Sequence, residues 1–153
     1  MNNFKYSIPT TIYFGKDQLG HLSELKERGS KVLLVYGGGS IKRSGLYDAA
    51  MKVLQEAGLT VTELSGVEPN PRIESVRKGV ELCKADAIEM VLAIGGGSVI
   101  DCAKVVAAGA CYEGDAWDLV LDGSKIKAAL PVYSVLTLSA TGSEMDEFAV
   151  ISD

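Results

Sequence analysis

The chain has 153 residues, of which 47% are hydrophobic and 23% charged, and this composition is typical of one globular domain and excludes a disordered chain. Fifteen Lys and Arg against 20 Asp and Glu give a net charge of −5, the wrong sign for general attraction to nucleic acid. No uncharged stretch reaches the roughly 20 apolar residues of a membrane span, and the N-terminus lacks an apolar signal core, so we expect a cytoplasmic protein that contacts neither nucleic acid nor membrane.

The cysteines and the histidine argue against a metal or redox site in this chain. Cys83, Cys102 and Cys111 are odd in number and fit no CxxC spacing, which favours reduced thiols in the core. A zinc or iron site usually draws on several His or carboxylate ligands, and His21 is the only histidine. We therefore predict no metal ligands and no catalytic residue here.

Along the chain, β-prone and helical patterns alternate. Residues 4–7 and 11–14 are short β-prone runs around Pro9 and predict an N-terminal hairpin at the edge of a sheet. The later patterns predict helices at 17–28, 41–57 with an interruption at Ser44 and Gly45, 73–85 and 98–109, and strands at 31–36, 59–64, 90–94 and 130–136. Residues 113–127 are interpreted as an irregular excursion. A last strand begins at 149–151 with no helix after it, which indicates a fragment of a larger fold.

Two of the predicted strands end in the same glycine-rich turn. The turns are Gly37, Gly38, Gly39 and Ser40 after the first strand, and Gly95, Gly96, Gly97 and Ser98 after the third, with Ser98 as the predicted N-cap of the next helix. A strand, a glycine turn and a helix N-terminus form an anion site, because free N–H groups and the helix dipole point at the same spot. One such turn could be a plain connector. Two in a small α/β domain suit a dinucleotide with a pyrophosphate and a ribose end.

Two loops at strand ends are further candidates for ligand contact. Pro69 and Pro71 hold the backbone extended around Asn70 and present its amide in a stiff loop, although a simple connector explains the same residues. Residues 137–144 directly follow the last core strand, at the carboxyl end where a doubly wound sheet places its ligand loops.

Four motifs together carry a resemblance to a known family. They are YGGGSIK at 36–42, EPNP at 68–71, AIGGGSVIDCAK at 93–104 and TLSATGSEMD at 137–146. In this order they resemble the cofactor-binding half of the iron-containing alcohol dehydrogenases, and most of all the NADP(H)-using aldehyde reductase and butanol dehydrogenase branch. The resemblance implies an α/β, Rossmann-like parallel-sheet dinucleotide-binding domain over residues 1–153, with an N-terminal β-hairpin and without the family's C-terminal all-helical metal domain.

The resemblance also implies roles for single residues. Gly37, Gly38 and Ser40 match positions that hold the adenosine ribose end, with Ser40 beside the 2′-phosphate. Gly39 stands where NAD-linked relatives have an aspartate, which implies NADP(H), with NAD(H) as the alternative. The pyrophosphate turn is matched by Gly95, Gly96, Gly97 and Ser98. Asn70 matches a cofactor contact in the proline loop, and Asp101 matches a residue near the nicotinamide. The loop around the adenine and phosphates is matched by Thr137, Leu138, Thr141 and Ser143.

Helix capping is the alternative role for several of these residues. Three S/T-x-x-D/E sequences, starting at Ser98, Thr141 and Ser143, have the spacing of a capping box, in which the acid satisfies a helix N-terminus.

The implied activity is hydride transfer between NADP(H) and a primary alcohol or aldehyde. The family's iron ligands, an aspartate and three histidines of a following helical domain, match nothing here, so this chain alone is expected to be inactive. The alternatives are a glycerol dehydrogenase or dehydroquinate synthase relative, and a non-catalytic nucleotide-binding module. The exposed edge of the predicted hairpin could pair with a second copy in a homodimer.

Overall fold

A four-stranded parallel sheet is the centre of the fold in the computed structural model, which describes residues 8–153. The strands are β1 (Lys31–Gly37), β2 (Thr60–Val67), β3 (Met90–Gly95) and β4 (Val132–Leu136). The α-helices are α1 (Ser40–Arg43), α2 (Leu46–Glu56), α3 (Ile73–Ala85), α4 (Gly97–Ala110) and α5 (Ala116–Leu121). A 3₁₀ helix of ten residues lies at Gln18–Glu27, and 3₁₀ helices of three residues lie at Gly123–Lys125 and Ser143–Met145. The predicted α/β parallel-sheet class is confirmed.

The strand order creates a topological switch point. The order is β2-β1-β3-β4, so the chain runs outward from β1 to β2 and then crosses to β3 on the other side of β1. Tyr36 of β1 pairs with Ile94 of β3, which brings the ends of these two strands level. In open α/β sheets the crevice beyond the strand ends at such a point is the usual place for a ligand.

The two central strands, β1 from Val32 onward and all of β3, carry no charged residue because helices cover both faces of the sheet. In β1, Leu33 and Val35 pack in a cluster with α3 and α4, whereas Val32, Leu34 and Tyr36 pack in a second cluster with α2 and the Gln18–Glu27 helix. All six residues of β3 are buried. This burial explains why neither strand alternates between apolar and polar residues.

Most of the predicted elements agree with the structure. The predicted helix at 73–85 coincides with α3, and the predicted interruption at Ser44 and Gly45 separates α1 from α2. Gly45 has φ +79°, a conformation that favours glycine and ends the helical run. The predicted strand at 59–64 extends further, to Val67.

The interpretation of residues 113–127 as irregular is wrong. Asp115 caps α5 by accepting a hydrogen bond from the N–H of Trp117 at 2.7 Å, and Ala116 and Leu119 are buried. A helix of six residues is too short to establish a helical period in the sequence. Residues 149–151 also form no strand of the sheet, and the nearby pairing is a single bridge between Arg72 and Ser152.

The predicted N-terminal hairpin is not seen in its described part. Residues 4–7 lie outside the described residues, and residues 11–14 are exposed and form no strand. The Tyr13 ring stacks on His21 at 3.7 Å, and its hydroxyl donates to Glu24 at 2.7 Å, so side chains rather than a backbone ladder join this segment to the first helix.

Candidate functional site

The two glycine turns lie side by side at the switch point. Gly37 ends β1 and Gly95 ends β3, and these strands are neighbours in the sheet. The turns therefore face the same crevice, as a two-part ligand would need.

The second turn leads into the N-terminus of α4. The N-cap is Gly96, so the prediction of Ser98 as the N-cap is wrong, and the chain enters the helix two residues earlier. The N–H groups of Val99 and Ile100 already bond to the Gly96 carbonyl. Helix geometry leaves the N–H groups of Gly97 and Ser98 without helical partners, so they are available to an anion.

The first turn leads into α1, which is only four residues long. Gly39 is its N-cap with φ +103°, a conformation that strains residues with a side chain. The Arg43 guanidinium lies 3.8 Å from the position that a Gly39 Cβ would take. Ser40 is the first residue of α1. The Arg43 guanidinium and the Ser40 hydroxyl thus belong to this turn.

The neighbouring lysine is engaged elsewhere. The Lys42 ammonium lies 5.1 Å from the Tyr36 ring centre and 4.5 Å from that of Tyr47, and both tyrosine hydroxyls donate to Glu63. Burial acts to raise the pKa of the Glu63 carboxyl, but the two hydroxyls outweigh it and lower the pKa below its ordinary value. Lys42 therefore belongs to this tyrosine cluster.

Packing explains three of the six glycines in the two turns. A Cβ on Gly37 would lie 3.2 Å from the Val67 carbonyl oxygen, one on Gly95 would lie 2.6 Å from Val99, and one on Gly97 would lie 3.1 Å from the Thr141 hydroxyl. These three glycines allow close internal contacts, and Gly39 is explained by its positive φ.

Gly38 and Gly96 have no such internal reason. A Cβ on Gly38 would meet no atom within 4 Å, and the nearest atom to one on Gly96 would be the Leu138 Cβ at 4.0 Å. Neither residue has the positive φ that favours glycine. One glycine in each turn thus has room for a side chain without a close internal contact, and that room suits a closely approaching phosphate or ribose.

The proline loop brings Asn70 next to the second turn. Asn70 has φ 55°, which asparagine tolerates better than most residues, and its N–H approaches the Ser98 hydroxyl at 3.4 Å. The Ser152 N–H donates to the Pro71 carbonyl at 2.9 Å and ties this loop to the end of the chain. The structure thus brings together Asn70 and Ser98.

The loop after β4 covers the second turn from the other side. The Thr137 N–H donates to the Gly95 carbonyl at 3.0 Å, and Thr141 lies against Gly97. Leu138 lies beside Gly96 and is 68% exposed, so an apolar side chain is accessible next to the turn.

Asp101 and Ser143 bind each other inside the protein. The Ser143 side chain is buried, and its hydroxyl donates to Asp101 Oδ1 at 2.6 Å. The other carboxylate oxygen of Asp101 accepts the Val150 N–H at 3.0 Å. Both oxygens of Asp101 are therefore used by protein groups, so its predicted place near the nicotinamide would be that of a supporting residue.

The capping boxes are not formed. The helices that start at Gly97 and Ser143 have Gly96 and Gly142 as their N-caps, and neither N-cap makes a side-chain hydrogen bond. The Asp146 carboxylate instead accepts from the Lys104 ammonium at 3.0 Å and from the Phe148 N–H at 2.9 Å. The Lys104 hydrogen bond, together with that of Phe148, lowers the pKa of Asp146.

Sequence reasoning did not identify Lys104 as a site residue. Its ammonium also donates to the Ser143 hydroxyl at 2.9 Å and to the Phe148 carbonyl at 2.8 Å. The signal was a lysine between Ala103 and Val105, followed by six uncharged residues of the same helix, where an unpaired charge would be costly.

The site suits a dinucleotide, but the described residues do not supply an iron site. Within residues 8–153 there is no group of three or more His, Cys, Asp or Glu side chains placed to hold a metal ion. Burial raises the pKa of Cys83 and Cys102 to about 12, which keeps both thiols protonated. Cys111 is exposed, so the prediction that all three cysteines lie in the core is wrong for this one.

Other surface features lie away from the turns. A depression of about 400 Å³ lies along α2 beside Met51. A second depression of about 410 Å³ lies at the sheet edge next to Lys31 and Asp86. Neither includes a residue of the glycine turns. No helix in the described part of the chain is long and apolar enough to span a membrane.

Comparison with known proteins assigns the family. The model of the iron-containing alcohol dehydrogenases matches residues 9–153. The chain is 60% identical over its whole length to NADH-dependent butanol dehydrogenase B of Clostridium acetobutylicum and 44% identical over 99% of its length to NADPH-dependent aldehyde reductase YqhD of Escherichia coli, and it covers 40% of each. The structure of NADH-dependent butanol dehydrogenase A from Thermotoga maritima matches all of the chain and 39% of that protein with a TM-score of 0.96 and 48% identity. The chain therefore belongs to the iron-containing alcohol dehydrogenase family.

Proposed function

We propose that the crevice above β1 and β3 binds a nicotinamide dinucleotide. The second turn, with Gly95, Gly96, Gly97 and Ser98, would hold the pyrophosphate, and the first turn the adenosine ribose end. The observation that carries this proposal is that neither close internal packing nor a positive φ explains glycine at positions 38 and 96. The free N–H groups at the start of α4 support the same assignment.

For the cofactor, we propose NADP(H), with NAD(H) as the alternative. Residues 37–43 contain no carboxylate, which is the group that NAD-specific sites commonly use to bind the ribose hydroxyls and exclude a 2′-phosphate. Arg43 beside Gly39 and the hydroxyl of Ser40 support a phosphate at this place. The names of the relatives include both cofactors, and the more similar relatives are called NADH-dependent, which supports the alternative.

We propose that the whole protein transfers hydride between this cofactor and a primary alcohol or aldehyde. The names of the relatives, butanol dehydrogenase and aldehyde reductase, support this substrate class over that of a glycerol dehydrogenase or dehydroquinate synthase relative. The chain spans about two fifths of the length of these relatives, 40% in each case. A bound dinucleotide would supply the hydride, and the residues of this chain would bind and orient it. A homodimer and a cytoplasmic location remain predictions.

The test replaces the two open glycines. Gly38→Val and Gly96→Val place a branched side chain where the ligand would approach, and each should weaken NADPH and NADH binding by about 10-fold or more, since a hydrogen bond to a charged group contributes about 1.5–3 kcal/mol. Fluorescence titration measures the dissociation constants, and circular dichroism checks the fold.

Gly123→Val is the matched control, because a Cβ there also meets nothing within 4 Å and φ is not positive, but the residue lies outside both turns. We expect it to bind both dinucleotides as the wild type does. Folded Gly38 and Gly96 variants that bind normally would show that the turns serve the fold alone.

A further inference from the structure

Two side chains of α4 make all the hydrogen bonds that join residues 138–151 to the rest of the described chain. Asp101 accepts from Ser143 and from the Val150 N–H. Lys104 donates to Ser143, Asp146 and the Phe148 carbonyl. The next anchors on either side are the Thr137 and Ser152 backbone bonds. We call Asp101, Lys104, Ser143 and Asp146 the Lys104 cluster.

The Lys104 ammonium is fully used within this cluster. A lysine has three N–H donors, and the three acceptors of Lys104 lie at 2.8, 2.9 and 3.0 Å. Its side chain is only 18% exposed. Lys104 therefore has no donor left for a ligand, so any effect on binding has to pass through the segment that it holds.

The cluster and the second glycine turn share one helix. Gly97, Asp101 and Lys104 follow at i, i+4 and i+7 and so lie along one face of α4. The held segment approaches the turn directly, since Thr141 lies against Gly97 and Leu138 beside Gly96. One helix thus fixes both the backbone N–H groups of the turn and the loop that lies beside them.

We propose that Lys104 is a positioning residue that holds segment 138–151 against the side of the pyrophosphate turn and thereby raises dinucleotide affinity without contacting the ligand. The effect on affinity rests on the proposed cofactor function, whereas the effect on the segment does not. Without the ammonium, Asp101 and Asp146 would repel each other across Ser143, and the segment would lose three of its hydrogen bonds. A dinucleotide would then have to order the loop when it binds, and this would lower its affinity.

The test uses two variants that change the charge in opposite directions. Lys104→Met keeps the apolar stem but removes a positive charge. If Lys104 acted only through long-range electrostatic attraction, this loss would weaken binding of an anionic dinucleotide. Asp146→Ala removes a negative charge, which by the same effect would strengthen binding. If Lys104 acts by positioning, both variants weaken NADPH and NADH binding, by about 10-fold for Lys104→Met, within the usual range for coupled sites.

Hydrogen exchange without ligand is the second measurement. Residues 138–151 should exchange faster in both variants, whereas β1 and β3 should keep their protection. Lys104→Arg, which keeps the charge and several donors, should restore part of the affinity. Lys52→Met is the charge control, because Lys52 is 74% exposed on α2 and makes only a 3.9 Å ion pair with Glu56.

The outcomes separate this inference from the proposed function. Unchanged exchange of residues 138–151 in Lys104→Met, or unchanged or tighter binding in Asp146→Ala, would overturn the inference while wild-type binding upholds the proposed function. A wild-type chain that binds neither dinucleotide would overturn the proposed function, and with it the claim about affinity. Faster exchange with weaker binding in both variants would support the positioning role.

Discussion

Gly39 is the residue at which cofactor choice and backbone conformation meet. It has φ +103°, and it lies beside Arg43, the one cation of its turn that does not take part in the tyrosine cluster. Replacing Gly39 by a charged residue changes both the charge and the backbone strain. The substitution therefore needs a control variant that causes the same strain without the charge. Aspartate and asparagine are nearly equal in shape and both tolerate the left-handed region better than most residues.

We expect Gly39→Asp to weaken NADPH binding much more than NADH binding. A carboxylate about 4 Å from a 2′-phosphate costs about 4 kcal/mol per unit charge at an effective dielectric of 20, and less with solvent screening. The ratio of the NADPH to the NADH dissociation constant, measured at fixed salt, should rise by about 10-fold or more.

Gly39→Asn is the control for this measurement, because it adds the same strain without the charge. Its ratio should stay near that of the wild type. An unchanged ratio in Gly39→Asp, or a wild-type chain that prefers NADH, would place the 2′-phosphate elsewhere.

At the scale of elements, glycines set the distance between helices α3 and α4. A Cβ on Gly79 of α3 would lie 2.6 Å from Val106 of α4, and one on Gly109 of α4 would lie 2.6 Å from Val80 of α3. Each helix thus places a valine over a glycine of the other. This close packing matters to the site, because α4 carries both the second glycine turn and the Lys104 cluster.

Gly79→Ala should therefore destabilise the fold although alanine is the better helix former. Overpacking a buried contact costs about 1–3 kcal/mol, against a gain of about 1 kcal/mol in helix propensity. Denaturant unfolding measures the difference, and Gly20→Ala, where a Cβ meets nothing within 4 Å, is the control that should not destabilise.

Adding Val106→Ala to Gly79→Ala tests the contact itself. The double variant should be more stable than the sum of the two single changes by about 0.5 kcal/mol or more. Strict additivity would mean that Gly79 and Val106 do not limit how closely the helices pack.

At the scale of the whole molecule, we expect this chain to bind a dinucleotide but not to catalyse its reaction alone. The two glycine turns at the switch point are the proposed dinucleotide site, and the described residues include no cluster of metal ligands. Three large apolar side chains of segment 138–151 are also exposed, namely Leu138, Phe148 and Val150. The two relatives named above are about two and a half times as long as this chain, which covers 40% of each.

We predict that an isolated polypeptide of these 153 residues binds NADPH or NADH weakly and does not reduce butanal, even with added ferrous iron. The measurements are a fluorescence titration and an assay of NADPH or NADH oxidation. Metal-dependent turnover by this polypeptide would refute the view that catalysis needs residues beyond these 153.

Much of the fold could be predicted from the sequence, because its signals are local. The uncharged runs of β1 and β3, the helical period of α3 and the two glycine turns are all patterns of adjacent residues. The four motifs likewise identified the family, which the comparisons confirm. The short helix α5 was missed because six residues carry too little periodicity.

The tertiary structure decided what each residue of those patterns does. The turns read alike in sequence, yet packing separates Gly37, Gly95 and Gly97 from the open Gly38 and Gly96. Asp101 has the spacing of a helix cap but binds Ser143, 42 residues away, and Lys104 joins the same group across 39 residues. Such contacts depend on how a loop returns to the face of a helix, and spacing along the chain does not record that geometry.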